Sequence, residues 1–292
     1  MHKNLEPNWR KKIIEENPPL CDKNDGLRIF VTFGDGDFRY RRSASRLVSQ
    51  INRLQLYDLT FALNGRWLKN TYPEIFRSII KNSIEFPFKG YGYWVWKYCA
   101  LEYLGCLYPN SIIHYADCGH SVEFSEKTDV ELERCLEECL LNGYLGWELP
   151  DCREIEFTKS ELSIFMNASM TDINSNQIDA SQFLLSSNNA VDISRKALSV
   201  FQNNFHLLLD QTTLPQSVFF KEHRHDQSLL SLLWKENWQL KNESIIEKPF
   251  KHDRQISFYS KTNSNRLLFL VEEFLGRCEK HFRIKIWRLI WK

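Results

Sequence analysis

No Cys-x-x-Cys pair and no zinc-ribbon spacing occur among the eight cysteines of this 292-residue chain. That absence argues against a structural zinc site and a disulfide framework, leaving reduced, packed thiols as the expectation. No stretch approaches the ~20 consecutive apolar residues of a spanning helix, and the opening MHKNLEPNWRKKIIEENPP has no apolar core for a signal peptide. The expectation is a cytoplasmic protein. No sign of charge dominates either: 38 Lys and Arg face 37 Asp and Glu, so no global field draws in nucleic acid, and none is expected as a partner. Gly34-x-Gly36 lacks the third glycine of a dinucleotide fingerprint. Internal repeats and low-complexity linkers are missing as well.

What is present is a 43% hydrophobic composition, enough for a large core. Residues 1–26 are polar and proline-bearing and are expected to form a loose arm. Leu27 to Phe33 reads as a buried strand ending at Gly34-Asp35-Gly36, followed by helical spacing from Arg41 to Leu54 and a second strand from Tyr57 to Leu63. A helix over Pro73 to Lys81, another over Tyr93 to Leu107, and a strand from Ser111 to Ala116 follow. Later, helices are expected over Glu126 to Leu141, Ile193 to Leu209 and from Leu229 onward, with a strand at Gln182. Alternating strands and helices predict an α/β fold, a mostly parallel central sheet flanked by helices in one domain over 27–262.

Five stretches could carry chemistry. KGYGYWVWK (89–97) puts four aromatic rings and two glycines before a helix, as a core entrance or as the wall of a ligand cleft. Asp117 closes a hydrophobic strand, where a carboxylate either holds a metal on substrate phosphates or satisfies its own turn. Asp35-Gly36-Asp37 is an Asp-x-Asp pair whose carboxylates could bind a cation, and the turn that ends the first strand is the favoured reading. In HRHDQS (223–228), Asp226 is either the N-cap of the next helix or a general base, and His223 and Arg224 could grip phosphate. The segment 277–292, RCEKHFRIKIWRLIWK, carries six basic residues and one glutamate among its aromatic and aliphatic side chains. It is expected either to pack on the domain or to lie as a basic amphipathic helix (263–292) on an anionic membrane.

Taken together, VTFG (31–34), GYGYWVWK (90–97), YADCG (115–119), TK (158–159), QF (182–183) and HRHDQS (223–228) resemble the pattern of bacterial glycosyltransferase-like proteins with the GT-A nucleotide-sugar fold. The resemblance covers about residues 27 to 236. It implies a transferase that moves a sugar from a nucleotide-diphosphate donor to a glycan or lipid-linked acceptor, in surface polysaccharide or lipopolysaccharide synthesis at the inner face of the membrane. It further implies a divalent cation, Mn²⁺ or Mg²⁺, on Asp117; Asp226 is expected to be the catalytic base if the reaction inverts the anomeric carbon. Donor or acceptor contacts would come from Thr32, Phe33, Tyr93, Trp94, Trp96, Lys97, Lys159, Gln182, His223, Arg224 and Gln227. The chain departs from the common Asp-x-Asp in having Asp117-Cys118-Gly119, so Lys97, Lys159 or Arg224 would supply part of the charge stabilisation. The alternative is a non-catalytic nucleotide-sugar or carbohydrate-binding protein of the same fold. A metal-dependent hydrolase built on His223, His225 and Asp117 ranks below both, for want of a ligand spacing.

Overall fold

The computed structural model describes residues 26–87, 89–238, 248–251 and 266–290, without the side chains of 84, 266–269 and 287–290. The expected arm, apart from Gly26, lies outside the described residues, as do Cys21, Trp291 and Lys292.

The run RIFVTF has β-branched and aromatic residues on both faces and forms β1 (Arg28–Phe33), buried from Ile29 onward. Asp37 then caps α1 (Phe38–Leu54), its carboxylate accepting from the Arg39 N–H, and Gln55 ends the helix in the left-handed region. β2 (Leu59–Leu63) pairs parallel with β1, Ile29 opposite Leu59. Two helices follow, α2 (Gly65–Thr71) and α3 (Pro73–Glu85), and after the KGYGYWVWK turn comes α4 (Trp96–Leu107). The chain then returns to the other side of β1 as β3 (Ile112–Ala116), parallel to it with Phe30 opposite His114.

The second half adds α5 (Glu126–Asn142), whose Ser125 cap and terminal Gly143 satisfy its first and last backbone groups. The short β4 (Tyr144–Leu145) follows, and β5 (Glu148–Arg153) pairs with β6 (Asn176–Ile178) in a separate two-stranded sheet. β7 (Gln182–Ser186) runs antiparallel to both β3 and β4 and completes a five-stranded sheet of order β2-β1-β3-β7-β4. The sheet is therefore mixed with a mostly parallel core. Helix α6 (Ser187–Asn203) packs on α4, and α7 (Asp226–Asn237) and α8 (Arg266–Ile290) complete the described helices of more than six residues.

Ile29, Val31 and Phe33 face a core shared with Leu101, Ala197 and Trp234 of the helices on that side, whereas Phe30 packs with Leu47, Ile51, Leu132 and Phe250 on the other. Helices thus flank both faces of the sheet. Cys135 and Cys139 are packed one turn apart between α5 and β7, and the seven described cysteines form no disulfide among themselves. Several boundaries differ from the sequence reading. The helix expected over Ile193 to Leu209 starts earlier, at Ser187, and stops at Asn203, where a 3₁₀ turn takes over. The one expected from Tyr93 begins at Trp96, because the backbone before it winds the other way.

Candidate functional site

β1 feeds outward to β2, and the chain then crosses back to β3 on the opposite side of β1. This reversal of strand order is the point at which open α/β sheets hold ligands, in the crevice beyond the carboxyl ends of the two strands. Gly34 and Asp35 follow β1 there, and Asp117 follows β3. Because β7 is antiparallel, the loop before it comes to the same edge, and Ser181 accepts a hydrogen bond from the Asp117 N–H at 2.8 Å.

The KGYGYWVWK stretch forms the wall of this edge through a left-handed helical turn. Gly90, Tyr91, Gly92, Tyr93 and Trp94 all have positive φ, between 47° and 90°, and the N–H groups of Tyr93 and Trp94 donate back to Lys89 and Gly90. Each non-glycine residue wound this way costs about 1–2 kcal/mol, so tertiary contacts must hold the turn. The Trp96 indole N–H donates to the Gly90 carbonyl at 2.9 Å, Phe33 stacks on Trp96 with ring centres 4.2 Å apart, and Tyr91 and Tyr93 are buried. A methyl group on Gly92 would overlap the side chain of Ile79. Gly92→Ala is therefore expected to cost about 2–4 kcal/mol, from backbone strain and overpacking together. A shift in the urea midpoint of the far-UV signal checks this, and a shift below about 0.5 kcal/mol would mean that the turn rewinds freely.

The turn meets HRHDQS directly. His225, itself at φ 50° and ψ −115°, lies between the edge of Tyr93 and the face of Trp94, with ring centres 5.2 and 5.9 Å away. Beside it, the Lys97 ammonium donates to the Asp226 Oδ2 and to the Ala180 carbonyl, both at 2.7 Å, and sits 5.1 Å from the Tyr115 ring centre. Lys97 is only 1% exposed and Asp226 only 6%. Burial opposes the charge on Lys97, but the carboxylates of Asp226 and Asp117 outweigh it and hold the ammonium above its ordinary value. Burial likewise raises the Asp226 carboxyl; Lys97 opposes this and the Asp117 charge adds to it. The expected N-cap role of Asp226 is not what forms. His225 occupies the cap position without a side-chain cap bond, and Asp226 is the first helical residue, with its Oδ2 turned to Lys97.

Asp117 is half-buried, with one oxygen receiving the Tyr115 hydroxyl. The Tyr115 ring in turn stacks on Phe183. Tyr93, Trp94, Trp96, Lys97, Asp117, Asp226 and Phe33 thus come together at one edge of the sheet.

The other expected residues point elsewhere. The Lys159 ammonium donates to the carbonyls of His206, Leu209 and Gln211, and the rings of His223 and His225 engage the carbonyls of Leu207 and Leu208. These side chains fasten the 206–211 loop. Arg224 lies over the Phe157 ring at 3.7 Å, and Gln227 clasps the backbone of Ile178 and Ala180. Thr32 and Gln182 alternate to the opposite sheet face, where Gln182 meets His114; Thr32 Oγ1 and Gln182 Oε1 are buried without a hydrogen-bond partner among the described residues. An open depression of about 630 Å³ lies at the outer edge of α1, lined by residues such as Ser49, Arg53 and Ala62, and none of the motif residues reaches it.

Among the described residues, no three His, Cys, Asp or Glu side chains gather as a metal site. Asp117 offers a single carboxylate with one oxygen beyond the Tyr115 bond. That set fits Mg²⁺ or Mn²⁺ in the mode where one carboxylate shares the ion with substrate phosphates and water. Compared with protein-family models, curated proteins and solved structures, the chain matches none. Its chemistry is read from these residues alone.

Three further acidic residues lie at the edge, of which Asp179 alone belongs to no stretch singled out in the sequence. Asp179 contributes to the field on Lys97 and pairs with Lys248 at 2.5 Å. Asp35 accepts from the Gly36 and Gly65 N–H groups and pairs with Arg41 and Arg283. Asp37 pairs with Arg39 at 2.8 Å. The turn reading of Asp35-Gly36-Asp37 is thus met by backbone and arginine partners, and the sequence signal for Asp35 was its position just past β1.

Proposed function

We propose that the chain transfers a sugar from a nucleotide-diphosphate donor to a hydroxyl of a glycan or lipid-linked acceptor. The observation that carries this reading is the convergence of Asp117 and Asp226 on Lys97 at the crevice where the strand order reverses. Asp117 receives the donor diphosphate side. A divalent ion held there with the donor phosphates would neutralise the charge that gathers on the departing diphosphate. Tyr93, Trp94 and Trp96 wall the cleft. Asp226 takes the acceptor proton through Oδ1, its other oxygen being occupied by Lys97, which serves as a positioning residue. Burial raises the proton affinity of Asp226, the direction a base working near neutral pH requires.

Nucleotide release from a panel of sugar nucleotides, with Mn²⁺ or Mg²⁺ present, tests the reading. Release is expected for at least one donor and is expected to fall about 100-fold or more in Asp117→Asn at unchanged thermal midpoint. A donor that raises the melting temperature with no release in any combination would instead assign a non-catalytic binding protein. Unchanged release in the variant would remove Asp117 from the chemistry.

A further inference from the structure

Helix α8 is amphipathic in the reverse sense of a helix that packs on a domain. Its charged side faces inward: Glu272 pairs with Arg42, Glu273 with Arg39, and Glu279 with Arg41 and the Phe38 N–H, while Arg283 reaches Asp35. Gly276 lets the helix come close, since a side chain there would overlap the Arg39 guanidinium. Its apolar side faces outward. Leu270, Val271, Phe274, Leu275 and Phe282 are exposed, Phe274 to 66% and Phe282 to 65%. A helix satisfied by water and its own domain would place these side chains the other way round.

The charges that share the outward side are of one sign. Arg277, His281 and Lys285 are exposed beside the apolar residues, whereas the three glutamates of the helix are all turned to the domain. Arg277 touches Glu273 one turn back and remains 78% exposed. An apolar band set with cations is complementary to an anionic bilayer, into whose interface rings sink while arginine and lysine meet headgroups. It is poorly suited to a second copy of itself, because a self-complementary pairing would set Arg277 and Lys285 against more cations.

We propose that this outward face of α8 is a docking surface for an anionic lipid bilayer, with the helix lying in the plane of the interface. Among the described side chains the face runs from Leu270 to Phe282. The inner side of the same helix pairs with Asp35, just past the carboxyl end of β1, so docking brings that end of the sheet to within roughly one helix diameter, ~10 Å, of the lipid. Only the presentation of a bilayer-anchored acceptor to the crevice rests on the transferase reading; the surface does not.

Co-sedimentation of the full chain with phosphatidylcholine vesicles, with and without phosphatidylglycerol, tests the surface with no assay of transfer. Binding is expected to require phosphatidylglycerol and to weaken with salt. Phe274→Ser with Phe282→Ser is expected to reduce partitioning at least about tenfold, and Arg277→Gln with Lys285→Gln by about tenfold, with unchanged denaturation midpoints since all four side chains are exposed. Absence of binding, or equal binding by wild type and the double phenylalanine variant, overturns the proposal. So does a concentration-dependent dimer that the phenylalanine variant alone converts to monomer, which would give the face to a second copy.

Discussion

Lys97→Met is expected to lower the stability of the fold by about 3–5 kcal/mol, because it leaves the Asp226 carboxylate buried without its partner. As a donor contact, the role the resemblance implies, Lys97 would instead be dispensable for folding. The difference lies in where the ammonium sits: it bridges α4, the first residue of α7 and the Ala180 carbonyl before β7, alongside the hydrogen bonds that the Tyr98 hydroxyl and Gln227 make between these segments. A buried pair contributes little net stability against well-packed apolar replacements, whereas breaking it from one side strands a charge. The double variant Lys97→Met/Asp226→Leu is therefore expected to recover most of the loss, a coupling of about 2 kcal/mol or more in a double-mutant cycle. Urea denaturation of the four proteins measures it. Equal losses in the single and double variants would mean that Asp226 is solvated in the absence of Lys97.

Acidification from pH 7 to pH 5 is expected to cost about 4 kcal/mol through His114 and His223. Burial is the main cause at both, aided by His120 at His114 and by Lys159 and His225 at His223, and each imidazole is pushed down to about 3. The neutral ring is the folded form. An unfolded histidine titrates near 6.5, so from there downward the unfolded chain binds a proton that the folded chain refuses. The contribution is complete above pH 6.5, falls by about 1.4 kcal/mol per pH unit per histidine, and levels off near pH 3. The urea midpoint against pH checks this, and His114→Gln and His223→Gln should each remove about one proton from the slope. Constant stability across pH 7 to 5 would show both rings protonated in the fold.

His114 and His223 also illustrate what a sequence conceals. His114 sits in an apolar strand, and its depressed proton affinity comes from Phe30, Phe250 and the strands that enclose it. His223 belongs to a polar box that reads as a phosphate grip, yet its ring turns to the Leu207 carbonyl. Six polar residues in a row can be drawn toward a ligand or toward loop backbone. Which occurs depends on a loop 16 residues away that no local pattern encodes.

By itself the sequence determined the alternation of strands and helices, the position of β1 and β3, the placement of Asp117 at a strand's carboxyl end, and the basic aromatic character of the last helix. Local periodicity and turn chemistry carry that information, because each depends on neighbours within a few residues. Only the tertiary structure decided that GYGYW winds left-handed, since its strain is held by Ile79, Phe33 and His225 from distant segments. The pairing of Lys97 with Asp226, 129 residues apart, was decided there too. So was the outward turn of the apolar side of α8, fixed by ion pairs with arginines on α1 more than 200 residues away in the chain. Long-range charge pairing selects among faces that local amphipathicity leaves equivalent, and the candidate site exists only where those selections meet.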